Sequence, residues 1–381
     1  MNSDALQIEA EMKLPWNHRD RKSVPDTLFA LRNLPGAHWS RNSVQSLISD
    51  GYRGNAIVYR CVRMIAEAAA SIPFESKPEG LSALLQRPSP EESGQAFFER
   101  LYTDLQISGA AFAEAISLQS GEVPKALYAL RFDRLRPVYT QQGHLLHYSY
   151  KVGRRERRIL PERDGWMPVL TLKLYDPGQS DQGLSPLVAA RKALDLHNGS
   201  AAWAKALIDN AARPSGALVY DRQGGHLSHA QFDRLKQELN AQHSGAENAG
   251  RPLLLEGGLD WKPMSLTPAE MDFQDTRHAA AREIALTFGV PPMLLGIPGD
   301  NTYATYKEAH LAFWRLTVLP LVQKCASTVS IWLSERFEGA HIVPQIEGVP
   351  AFASERDALW ARISAAAFLS DAEKRSMLGL M

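Results

Sequence analysis

The chain has 381 residues, 45% of them hydrophobic, with 42 Lys plus Arg balanced by 42 Asp plus Glu and only two cysteines. This is length enough for two or three domains with real cores, and zero formal net charge leaves no global basic field to hold a free monomer on DNA or on an anionic membrane. Cys61 and Cys325 lie in separate apolar stretches without a C-x-x-C, so they read as packed thiols in a reducing compartment.

Residues 1–45 are polar, punctuated by Pro15, Pro25 and Pro35, and lack helical or strand period, the pattern of an arm that a partner must order. The N-terminus has no basic n-region followed by an apolar h-region, and no stretch approaches about 18 uninterrupted apolar residues, so neither a signal peptide nor a bilayer-spanning segment is expected. From Tyr52 onward Ile57, Val58, Cys61, Ile65 and Ala68 recur at three and four, one buried helix face ending before Pro73. A second helix starts near Ser93 with Phe97, Leu101 and Leu105. Short strand-like runs follow at Ala111 to Leu118, Ala126 to Leu130, Leu145 to Tyr150 and Val169 to Leu174, so the N-terminal half reads as α+β.

Ser185-Pro186 is an N-cap with proline at the first helical position, and the alanine-rich helix it opens meets no breaker until about Ala212. Strand-like Gly216 to Tyr220, a helix opened by Ser228-x-x-Gln231, and strand-like Pro252 to Leu255 form a β-α-β insert. The returning helix opens on the capping box Thr267-Pro268-Ala269-Glu270 and ends at Phe288-Gly289. After a Gly/Pro-rich loop from Met293 to about Thr305, the longest helix carries Leu311, Trp314, Val318, Leu321, Cys325, Val329 and Trp332 on a seam with a period near 3.5. Pro320 inside that seam predicts a kink. A helix from Ser354 to Leu369 and the capping box Ser370-x-x-Glu373 close the chain.

No nucleotide-binding, hydrolase-elbow or zincin motif occurs. His144 and His147, and His226 and His229, are spaced by three, but beside turns and without a third ligand. Glu270, Asp272 and Asp275 cluster in the first turns of a helix, where carboxylates satisfy unpaired N–H groups and the dipole. A metal-dependent hydrolase built on those carboxylates and one His pair is the alternative reading, and a monomeric scaffold a second one. Lys151, Arg154, Arg155, Arg157, Arg158 and Arg163 form the one basic cluster; a solvated hairpin face is its plain explanation, and phosphate contact by Arg154, Arg155, Arg157 and Arg158 the sharper one.

Taken together, Asn55 to Pro73 (NAIVYRCVRMIAEAAASIP), Leu84 to Pro88 (LLQRP), Ser108 to Phe112 (SGAAF), Gly183 to Leu187 (GLSPL), Asn210 to Gly216 (NAARPSG), Pro252 to Gly257 (PLLLEG), Phe288 to Gly296 (FGVPPMLLG) and Leu316 to Leu321 (LTVLPL) resemble the portal proteins of tailed bacteriophages and of the phage-like gene transfer agents. The order and spacing of these segments, over about Gly51 to Leu333, carry the resemblance rather than any one of them.

The resemblance implies a non-catalytic, cofactor-free subunit of α+β portal fold, in a ring usually of twelve at one capsid vertex, through which double-stranded DNA enters and leaves. It implies residues 1–45 as an arm, 46–184 as the wing, 185–212 and 267–289 as stem helices, 213–266 as the clip, 290–304 as the tunnel loop, 305–340 as the wing's long helix and 341–381 as a short crown. Gly299, Asp300, Asn301, Thr302, Tyr303 and Lys307 would then approach the duplex, and Glu270, Asp272, Asp275 and Arg277 would line the stem lumen. The implied partners are further copies of the chain, double-stranded DNA, the major capsid protein, the large terminase subunit and a head-completion adaptor, with no membrane, in a virion or phage-like particle assembled in the bacterial cytoplasm. In two places the chain departs from the family pattern. Only Phe74 to Gly80 stands where a strand hairpin is usual, and the region after Pro350 is short for a crown.

Overall fold

The computed structural model describes residues 43–178, 183–209, 216–220, 228, 230, 233, 234, 237, 259–263, 273–299 and 303–377. The expected arm falls outside them except for its last three positions, as does most of the expected clip.

Helix α1 (Ala56–Ala70) forms because Asn55, in an extended conformation, accepts the N–H groups of Ile57 and Val58 on its side-chain oxygen. Its inward face is Val58, Cys61, Val62, Ile65, Ala66 and Ala69. It packs against α3 (Gly94–Ser108), capped by the Ser93 hydroxyl and closed by Gly109 at φ 81°. Between them run β1 (Phe74–Lys77) and α2 (Glu79–Gln86). Burial pushes the thiols of Cys61 and Cys325 up to about 12, which bears out the reading of inert, packed cysteines.

Two three-stranded antiparallel sheets follow. One has the order β3 (Ala126–Leu130), β2 (Ala110–Ile116), β7 (Val169–Lys173), and lies on α3; the other runs β4 (Leu135–Tyr139), β5 (Leu145–Val152), β6 (Arg155–Ile159). Strand β2 is buried at nearly every position, because α3 covers one face and the second sheet part of the other. The sequence reading found β2, β3, β5 and β7 but missed β4 and β6, whose arginines and proline mask alternation on a solvated sheet.

The helix expected to run unbroken from Ser185 is two helices. A turn at Pro186–Ala189 stops at Ala190, and α4 covers Arg191–Asp209. The interruption falls where the chain passes from α3 to α5 (Phe273–Thr287). The Ser185 hydroxyl donates to the Gln106 carbonyl of α3, whereas α4 lies along α5. Strand β8 (Gly216–Tyr220) appears where expected, but its antiparallel partner is β9 (Leu259–Pro263); Pro252 to Leu255 lies outside the described residues.

The longest helix is α6 (Tyr303–Phe313), a π-helical stretch (Trp314–Val318) and α7 (Leu319–Ser334). Pro320 therefore produces a π stretch just upstream, in which the Leu319 N–H reaches back five residues to the Trp314 carbonyl. Thr305–Ser334 has the length and composition to cross a bilayer, but its seam residues Trp314, Val318, Leu321, Cys325 and Val329 are buried in the main core, and Leu311 is buried as well. The remaining elements are β10 (His341–Pro344), α8 (Ala353–Ala365) and α9 (Asp371–Met377). Ahead of α9 the expected capping box is complete: the Ser370 N–H donates to Glu373 at 2.8 Å and the Glu373 N–H to the Ser370 hydroxyl at 3.3 Å.

Candidate channel and DNA-contact site

Helices α4 and α5 lie against each other. Ala193 and Leu194 of α4 and Ala280, Ala281, Ile284 and Ala285 of α5 are buried. At the head of α4, the Asn55 amide donates to Asn198 Oδ1 at 2.8 Å and lies 2.9 Å from His197 Nδ1, while Asn198 donates to the Asp50 carbonyl. Because Asn55 Oδ1 already caps α1, its nitrogen can only donate, so His197 Nδ1 accepts and the ring is neutral. Burial, then the nearby Arg277 guanidinium, lower the His197 pKa to the same end. Arg277 and Asp275 are both exposed on α5; Glu270 and Asp272 lie outside the described residues.

The loop after α5 is anchored through its first half. Gly289 takes φ 67° and its carbonyl accepts from the Thr317 hydroxyl at 2.6 Å. A 3₁₀ turn (Pro292–Leu295) ends at Gly296, and Ile297 is buried against Ala281 and Ala285. Arg282 donates to the Pro298 carbonyl, and a Cβ on Gly299 would come within 2.6 Å of the same guanidinium. Asp300, Asn301 and Thr302 lie outside the described residues. Tyr303 is the first residue of α6, two positions earlier than expected, and Lys307 is exposed one turn on.

The basic cluster is a hairpin turning at Gly153, and it divides. Arg157 is held by Glu114 through two hydrogen bonds of 2.7 and 2.5 Å, so its guanidinium ties the second sheet to β2 and is not a free phosphate ligand. Arg154, Arg155 and Arg158 are exposed. Of the paired histidines, His147 sits on β5 and His144 in the turn before it, with a register shift of the strand between them; His226 and His229 lie outside the described residues. Among the described residues no three His, Cys, Asp or Glu side chains are grouped as a metal would need.

Sequence reasoning had no signal for another cluster. Trp166 and Trp332 stack with ring centres 5.5 Å apart, each donating its indole N–H to a backbone carbonyl across the junction, Trp332 O and Met167 O. Arg336 lies over Trp166 and pairs with Glu162 and Asp164. This joint seats the strand β7 region on α7. Likewise β1 pairs with β10, more than 260 residues away in sequence, so the short Phe74 to Gly80 segment does keep a two-stranded sheet, with a distant partner in place of its own hairpin.

Several segments singled out in the sequence converge in space. Gly109 and Gly183 approach so closely that a Cβ on either would overlap the other's carbonyl, Gly51 admits Leu187, and Thr317 bonds Gly289. Their spacing thus corresponds to close tertiary contacts at glycines. The chain matches the phage portal protein family over residues 56–379. It belongs to that family. Portal proteins form the ring-shaped DNA channel at one vertex of a capsid, and they are structural, which removes the hydrolase reading. This portal protein is 42% identical over 343 residues to an uncharacterized protein of Rickettsia bellii, covering 87% of this chain and 88% of that one. It is 46% identical to a chain in the virion of a native gene transfer agent particle, covering 90% of this chain and 95% of that one at a TM-score of 0.70. It is 44% identical to a chain in the neck of a native gene transfer agent particle computed with C12 symmetry, covering 94% and 99%, again at 0.70. Helical stem, β-sheet wing elements and C-terminal helices are the α+β portal architecture expected from the sequence.

Proposed function

We propose that this chain is the portal subunit of a gene-transfer-agent-like particle. Twelve copies surround the channel, α4 and α5 serve as stem, residues 213–266 as clip, 290–304 as tunnel loop, 305–340 as the wing's long helix and 341–381 as a short crown. The observation that carries this reading is the likeness at 44% identity over 94% of the chain to a neck protein solved with twelvefold symmetry. The loop bearing Gly299, Asp300, Asn301, Thr302 and Tyr303, with Lys307 at its base, approaches the duplex; its anchored first half gives the tip a fixed origin, as a loop acting on a moving ligand needs. Asp275 and Arg277, opposite charges both exposed in the first turns of α5, suit a lumen that must not grip DNA. The clip meets the large terminase subunit during filling and the head-completion adaptor afterwards, the wing meets the major capsid protein, and assembly takes place in the bacterial cytoplasm.

Negative-stain imaging of the purified protein tests the ring: particles with a central hole are expected, and compact monomers at all concentrations would overturn it. Deleting Gly299 to Tyr303 is expected to leave rings intact and to abolish DNA packaging or retention. Normal packaging by that deletion would remove the loop from the channel.

A further inference from the structure

The cations of the wing hairpin sort by strand register. Directly paired residues share a face, so Leu135, Tyr150 and Arg157 face one side of the second sheet, with Pro137, Tyr148 and Ile159. That side carries the Glu114 ion pair and the buried Leu135, Tyr148 and Ile159. The opposite side carries Arg136, Ser149 and Arg158 in one row and Lys151 with Glu156 in the next. Arg134 precedes it in register, its carbonyl accepting the Lys151 N–H. Arg136, Lys151 and Arg158 are exposed, and none forms an ion pair among the described residues. The two nearby carboxylates are already engaged: Glu156 accepts from Ser149 at 2.5 Å and Asp133 binds Arg131 through two bonds. A shallow cleft of roughly 360 Å³ lies among Asp133, Arg134, Arg136, Ser149, Lys151 and Glu156.

We propose that this outer sheet face, formed by Arg134, Arg136, Lys151 and Arg158, binds the phosphate backbone of double-stranded DNA. It rests on the portal reading only for the presence of a duplex. Four cations on a flat sheet, spaced by two strands (~10 Å) or two residues (~7 Å), offer a charged lattice with no fixed sequence preference. The face has no exposed aromatic, which argues against single strands, whose bases need a stacking platform. The cationic rows hold no Trp or Tyr, the residues that most often anchor protein interfaces, and Val138 beside them is half-buried. A grip of this kind opposes sliding, so the surface suits duplex already packaged, while the near-neutral stem lets duplex pass.

The test is binding of the full-length protein to a random-sequence duplex, read by fluorescence anisotropy from about 50 to 300 mM salt. The triple variant Arg136→Gln, Lys151→Gln, Arg158→Gln is expected to lower the salt slope by about 2.7, at ~0.9 per phosphate contact, and to weaken binding at ~0.1 M salt by about two to three orders of magnitude. Arg136→Lys with Arg158→Lys, which keeps the charge, is expected to retain the slope. An unchanged slope in the glutamine variant overturns the proposal even where rings form normally. Failure of the unaltered protein to form rings overturns the portal reading instead, and leaves the slope measurement to decide the face on its own. Circular dichroism equal to that of the unaltered protein certifies that the glutamine variant is folded.

Discussion

Asp104, half-buried on α3, is the one carboxylic acid whose surroundings reshape its chemistry most plainly. Burial pushes its pKa from 3.8 up to about 7, the nearby Asp133 adds to the rise, and Arg100 and Arg131 oppose it. Between those two values the folded protein holds a proton that the unfolded chain has released, so stability falls as pH rises from about 4 to about 7 and stays lower above. Asp104→Asn should melt at nearly the wild-type temperature at pH 4 and a few degrees higher at pH 8. A difference that did not change with pH would show that burial does not raise the Asp104 pKa. The sequence hid this residue, as it hid the Glu114–Arg157 pair. An acid on a polar helix face looks the same whether a neighbouring sheet covers it or water does.

At the scale of elements, local chemistry in the sequence was legible and junctions were not. Asn55, Ser93, Ser185 and Ser370 are caps because short oxygen-bearing side chains satisfy N–H groups within three residues, a relation written in the chain itself. Pro320 announced a disturbance, but only packing decided that it would be a π stretch rather than a sharp kink. The junction of α3, β2 and the stem depends on Gly109, which combines φ 81° with backbone approach to Gly183. Gly109→Ala should cost about 3 kcal/mol or more, adding left-handed strain to overlap with backbone that cannot yield. Gly121→Ala is the control. Gly121 has a similar φ of 87° in open space, and its substitution should cost only about 1 kcal/mol. Equal losses for the two, in thermal melts, would show that the Gly109–Gly183 approach is not what constrains the site.

At the scale of the whole molecule, the single chain leaves apolar side chains in water on its structural helices. Leu286 on α5, Leu316 in the π stretch and Ile331 on α7 are each about three-quarters exposed. A monomer rarely leaves several large aliphatics so bare on one set of helices, whereas subunits of a ring cover them. Leu316→Glu combined with Ile331→Glu should leave the circular dichroism unchanged and shift sedimentation from ring to monomer. Intact rings would place both side chains outside the subunit contact.

By itself the sequence determined the family, the major helices, several caps and the balance of charge, because each depends on residues close together or on the ordered spacing of segments. The equality of 42 and 42 left no global basic field. Only the tertiary structure decided how that charge is divided. It bound Arg157 to Glu114 across 43 residues, turned Arg136, Lys151 and Arg158 onto one open face, paired β1 with β10, and interrupted the helix at Ala190. Strand register has a period of two, so neighbouring arginines go to opposite faces, and which face meets water depends on what packs against the sheet.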